Sequence, residues 1–227
     1  MIQISTFVSL EKSTDPVIIQ KFIEEKNKDI DEILNKDDTE LVIEENQASY
    51  AKIYNIGDNC WIKFEFEEEK IPDIVSSVKS KFILETYALS RSGYKTGWQK
   101  YKSGKNTGKY KYTAKTTVNY GVASGTYSLR AYYQLTSKGV HVYKKLASGT
   151  DAGLLVVDVT DSGIDDAYAT KPGASDCDLY ATYKTTYGKD PVKWSRVYGM
   201  TLKIKYLSKD TVEKEIKTTR EWRLKSL

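Results

Sequence analysis

Four aspartates lie close together in DVTDSGIDD: Asp158, Asp161, Asp165 and Asp166. Hard carboxylate oxygens around a Ser-Gly pair suit a calcium ion. The segment is therefore a candidate calcium loop. Its spacing departs from the EF-hand pattern, and a solvated polar turn is the simpler account.

A second chemistry resides in SGYKTGWQKYKSGKNTG, residues 92–108, read as a loop. Tyr94, Trp98 and Tyr101 stand among Lys95, Lys100, Lys102 and Lys105, with glycines and serines that free the backbone. Exposed aromatic rings on a loop can stack on a sugar, a base or a peptide side chain. The competing expectation is that Trp98 folds back onto its own scaffold. Tyr132 and Tyr180 join the ligand-binding candidates, because strand parity sends both to a polar face.

Catalytic signals are sparse. The single histidine, His141 in GVHVYKK, falls opposite Val140 and Val142 and reads as a surface residue. No GxSxG, HExxH or phosphate-loop pattern is present. Two carboxylates could serve a glycosidase, but spacing selects no pair. The two cysteines, Cys60 and Cys177, share strand parity with apolar neighbours. They read as buried thiols, with one long-range disulfide as the alternative. Two cysteines are too few for a disulfide framework or a cysteine-based zinc site.

The elements that must position these residues are mostly strands. In GKYKYTAKTTVNYG, Tyr110, Tyr112, Ala114, Thr116, Val118 and Tyr120 share one face, opposite Lys109, Lys111, Thr113, Lys115, Thr117 and Asn119. Rings inward and lysines outward follow from that period of two. The separation also argues against nucleic acid, which needs stacking rings and cations on one side. TYSLRAYYQLT repeats the pattern, GLLVVDVTDSG is apolar on both sides of its middle and suits a central strand, and KWSRVYGMTLKIKYL with TVEKEIKTTREWRL forms a hairpin. Short Gly, Ser and Asp turns separate the runs. An antiparallel β-sandwich, immunoglobulin-like or jelly-roll-like, is the expected fold.

Residues 1–75 read as an acidic appendage of one helix and a small hairpin, and residues 76–227 as the basic sandwich. The helix spans about 16 to 35, with Pro16 in its first turn and a stripe of Ile18, Ile19, Phe22, Ile23, Ile30, Ile33 and Leu34. GDN at 57–59 marks a turn, and the run Glu67 to Glu69 followed by Pro72 marks the boundary.

Charge follows the same division. Residues 1–80 hold 18 acidic and 9 basic side chains, and the remainder 13 and 26. An intramolecular contact between the halves explains this; a basic surface for an anionic partner is the sharper reading. No apolar run reaches the length of a membrane helix. The start, MIQISTFVSLEKSTD, shows no basic n-region and apolar h-region. An extracellular or cell-surface location is expected from the Tyr/Thr/Ser/Gly-rich strands, with a cytoplasmic one as alternative.

The resulting expectation is a noncatalytic binding or surface protein that recognises a glycan or protein partner through exposed loop aromatics. The alternatives are an inhibitory or interaction module acting through charge asymmetry, and a carboxylate-based glycan-active enzyme. Calcium is the one cofactor suggested.

Overall fold

The computed structural model describes residues 16–35, 49–72, 99–189, 192–209, 211 and 215–227. These contain helix α1 (Pro16–Asn35) and strands β1 (Ser49–Asn55), β2 (Cys60–Ile71), β3 (Gln99–Lys105), β4 (Gly108–Tyr120), β5 (Ser124–Thr136), β6 (Gly139–Ala152), β7 (Leu155–Asp166), β8 (Tyr168–Ala169), β9 (Asp176–Lys189), β10 (Val192–Lys209) and β11 (Ile216–Ser226). Sheet A has the order β1-β2-β4-β5-β6-β8 and sheet B the order β3-β11-β10-β9-β7. All pairings are antiparallel. The two sheets make a β-sandwich.

Alternation in the sequence becomes burial in the fold. Tyr110, Tyr112, Val118 and Tyr120 of β4 are buried, as are Tyr127, Leu129, Ala131 and Tyr133 of β5. Two lysines of β4 face outward yet are paired across the sheet. Lys115 pairs with Glu67 at 3.0 Å and Lys111 with Glu69, both across the β2–β4 register.

Of the eighteen tyrosines, nine are buried in the core among the described residues. Tyr127 shares a 2.7 Å hydrogen bond with Thr185 Oγ1, and Tyr183 donates to the Ser128 carbonyl at 2.7 Å. Each bond ties β5 of sheet A to β9 of sheet B. A phenylalanine would fill the same space without the tie, and a buried phenol needs a partner.

Helix α1 closes one end of the sandwich. Ile23, Ile30, Ile33 and Leu34 are buried, while Ile18, expected on the same stripe, is exposed. Polar anchors fix the helix. Asn27 Oδ1 accepts from Tyr120 OH at 2.8 Å, Lys26 Nζ donates to the Ile56 carbonyl at 3.1 Å and pairs with Asp58, and Asp31 pairs with Arg196. The GDN turn takes positive φ at Gly57, Asp58 and Asn59, which glycine and short polar residues tolerate.

Several expectations need correction. The β1–β2 hairpin joins sheet A, where β2 pairs with β4 from Cys60 to Ile71. The acidic run Glu67 to Glu69 belongs to β2, and the expected boundary at 75/76 lies outside the described residues. Gln99–Lys105, assigned to a loop, form the edge strand β3 against β11. Leu155–Asp166 form β7, so the DVTDSGIDD acids are carried on a strand instead of a loop. A bulged strand accommodates this polar sequence because β7 is the outer edge of sheet B, where one flank needs no partner.

Both cysteines are free and buried. Burial pushes the Cys60 thiol up to about 11 and the Cys177 thiol up to about 12.

Candidate ligand-binding face

The outer face of sheet A gathers an aromatic cluster on β5, β6 and β8. Alternation along β5 puts Tyr132 outward between buried Ala131 and Tyr133. On β6, His141 and Tyr143 point away from buried Val140 and Val142. The β5–β6 register then slips between Tyr132 and Tyr133, with Val142 opposite Tyr133 but Lys144 opposite Tyr132. This bulge leaves Tyr143 and Lys144 both exposed, next to Tyr132. The two-residue strand β8 pairs with β6 and places Tyr168 opposite His141.

The rings touch in sequence. His141 and Tyr168 stack with centroids 4.4 Å apart and planes 2° from parallel. His141 lies 6.3 Å from Tyr143, and Tyr143 lies 6.5 Å from Tyr132, both tilted. Lys144 Nζ sits 5.0 Å above the Tyr132 ring. Tyr168 is 58% exposed and Tyr143 42%. Such exposure on two large rings is costly to solvate unless the surface has a use. Burial and the neighbouring Tyr132 phenol raise the Tyr143 pKa, which keeps its hydroxyl a neutral donor and acceptor.

Cations border the rings. Lys111 is opposite Tyr132, Lys109 opposite Gln134, and Gln134 opposite His141. The Arg130 side chain donates to Thr113 Oγ1 at 2.9 Å. Rings and cations separated within β4 are thus reunited between strands, a juxtaposition that the parity of one strand cannot reveal. Of these residues, Tyr132 was expected as a ligand contact. His141, Tyr143 and Tyr168 were not. The alternation of GVHVYKK places His141 and Tyr143 on one face, and that was the available signal.

Tyr180 lies on the opposite side of the molecule, on the outer face of sheet B. It packs over Gly163, where a Cβ would collide with the Tyr180 ring. The charge of Asp161, and then that of Asp165, raises its pKa. Tyr180, Asp161 and Asp165 therefore form one group. Asp158 is opposite Lys184, and Asp166 accepts from the Tyr168 backbone N–H at 2.9 Å. Among the described residues, no three His, Cys, Asp or Glu side chains form a group able to hold a metal ion. Tyr132 and Tyr180, on opposite faces, cannot contact the same small ligand. Tyr94 and Trp98 lie outside the described residues, as does the side chain of Tyr101, whose backbone is opposite Arg220 in β3.

No helix among the described residues is long and apolar enough to cross a membrane. The chain matches no family model, no curated protein and no solved structure.

Proposed function

We propose that the protein is a noncatalytic binding module that holds a glycan on the outer face of sheet A. The carrying observation is the placement of Tyr132, His141, Tyr143 and Tyr168 on one exposed sheet face. Aromatic faces stack on the C–H faces of sugar rings, while phenol, imidazole and amide groups meet hydroxyls. Strands hold these groups more rigidly than the expected loop would, so less ordering entropy opposes binding.

The charge asymmetry supports a module driven by net charge less well. Part of it is paired internally, in Glu67–Lys115, Glu69–Lys111 and Asp31–Arg196.

A glycan array probed with wild type, Tyr168→Ala and Tyr143→Ala tests the proposal. Signal that falls in both variants, with melting unchanged, is the expected result. Undiminished signal would move recognition elsewhere on the chain.

A further inference from the structure

Sheet A carries two kinds of cation on its outer face. On the β2–β4 side each acid meets a base: Lys63 pairs with Glu65 at 2.8 Å, Lys115 with Glu67 and Lys111 with Glu69. On the aromatic side the pattern stops. Among the described residues Lys109 is exposed with no ion pair, Arg130 meets the Thr113 hydroxyl, and Lys144 meets the Tyr132 ring. Cations without an acidic partner therefore lie on the same strands as the exposed rings.

We propose that the glycan is acidic, a polysaccharide whose sugars carry carboxylates, as uronic acids do. This rests on the binding function proposed above and names its ligand class. Tyr168 and Tyr143 would support the sugar faces. Lys144 and Lys109 would meet carboxylates on either side of the ring cluster, and Gln134 and His141 lie between them for hydroxyls. Register places Lys109 two strands from His141, and neighbouring strands are about 4.8 Å apart. The cations are thus spread out, which suits single charges on successive sugars. Single-stranded nucleic acid also carries one charge per unit, but offers fewer hydroxyls to Gln134 and His141.

Binding of the full chain is measured by titration calorimetry against polygalacturonate, its fully methyl-esterified form, a neutral β-glucan and an oligothymidylate. Polygalacturonate should bind, with affinity falling at least about tenfold on esterification and again on raising salt, since both remove charge attraction. Lys144→Gln and Lys109→Gln should weaken polygalacturonate binding with unchanged melting. Equal affinity for the esterified polymer or the β-glucan would overturn the acidic class while leaving glycan binding intact. Failure of all three polysaccharides would remove the glycan reading itself. Tighter binding of oligothymidylate than of polygalacturonate would overturn both in favour of nucleic acid.

Discussion

Arg220 on β11 clasps Glu68 on β2 across the interior of the sandwich. Nε donates to Oε1 at 2.7 Å and Nη2 to Oε2 at 2.8 Å, and both side chains are fully buried. Tyr133 donates to the same carboxylate, Lys105 Nζ lies 3.0 Å from it, and Arg220 Nη1 donates to Thr218 Oγ1 at 2.6 Å. A charge pair taken out of water survives only when its remaining donors and acceptors are satisfied. Tyr133 and Thr218 do that here, within a wall formed by Phe66, Tyr112 and Trp222.

Removing one partner should therefore cost more than the pair contributes. Glu68→Gln leaves Arg220 buried without a counter-charge and should destabilise by about 3–5 kcal/mol. Replacing both residues by apolar ones should cost less than the single change. Chemical denaturation of the single and double variants measures the difference. A Glu68→Gln effect below about 1 kcal/mol would mean that water reaches the pair.

The same pair predicts acid sensitivity. Burial raises the Glu68 pKa, but Arg220, Lys105 and the Tyr133 hydrogen bond outweigh it, and the net shift is downward. A depressed carboxylate contributes stability that is present above the unfolded value, about 4.3, and lost as pH falls through the folded one. Wild type should lose stability below about pH 4 more steeply than Glu68→Gln. Equal slopes in thermal melts across that window would assign acid unfolding to other groups.

Alkaline pH should act through the thiols. The folded values of about 11 for Cys60 and about 12 for Cys177 exceed the unfolded thiol value of about 8.5. Raised folded values mean that this contribution is complete below about pH 8.5 and fades as pH climbs through the folded values. At neutral pH a thiol reagent should leave both cysteines unlabelled until denaturant is added. Mass spectrometry of the labelled chain reads this directly, and rapid native labelling of either residue would contradict its burial.

Tyrosine hydroxyls should matter in the core and rings on the surface. Tyr127→Phe removes the tie to Thr185 and should cost about 0.5–1.5 kcal/mol, whereas Tyr112→Ala, which empties a core site, should cost about 3–5 kcal/mol. Tyr168→Ala should change stability by less than about 0.5 kcal/mol, because its ring faces solvent. Differential scanning calorimetry of the three variants checks this order. A large loss in Tyr168→Ala would make the His141–Tyr168 stack structural.

Gly163 offers a local test on sheet B. A side chain there collides with the Tyr180 ring, so Gly163→Val should displace the ring from Asp161. Freed from that carboxylate, Tyr180 should titrate at lower pH, read by ultraviolet difference absorption. An unchanged titration would show that the ring had never rested on the glycine.

The sequence by itself determined which residues of each strand face inward. Side chains alternate every residue along a strand, so Tyr112, Val118 and Tyr120, and likewise Cys60 and Cys177, were placed by their own neighbours. It also determined helix α1, from a stripe whose period is local. Glu68 was within reach of the same rule, two residues beyond Phe66 on the inward face, but three consecutive glutamates resemble a solvated boundary. Its burial depends on Arg220, which is 152 residues away. Tertiary structure alone decided the candidate site. The β6 bulge turned Tyr143 and Lys144 out together, β8, one residue after β7, laid Tyr168 opposite His141, and pairing of β4 with β5 set Lys111 opposite Tyr132 and Lys109 opposite Gln134. Edge pairing likewise made a strand of Gln99–Lys105 and carried β7 through its acidic end, because ladder hydrogen bonds to β11 and β9 outweigh weak local preference. Strand parity is written in adjacent residues; which strands become neighbours is settled by burying both inner faces at once.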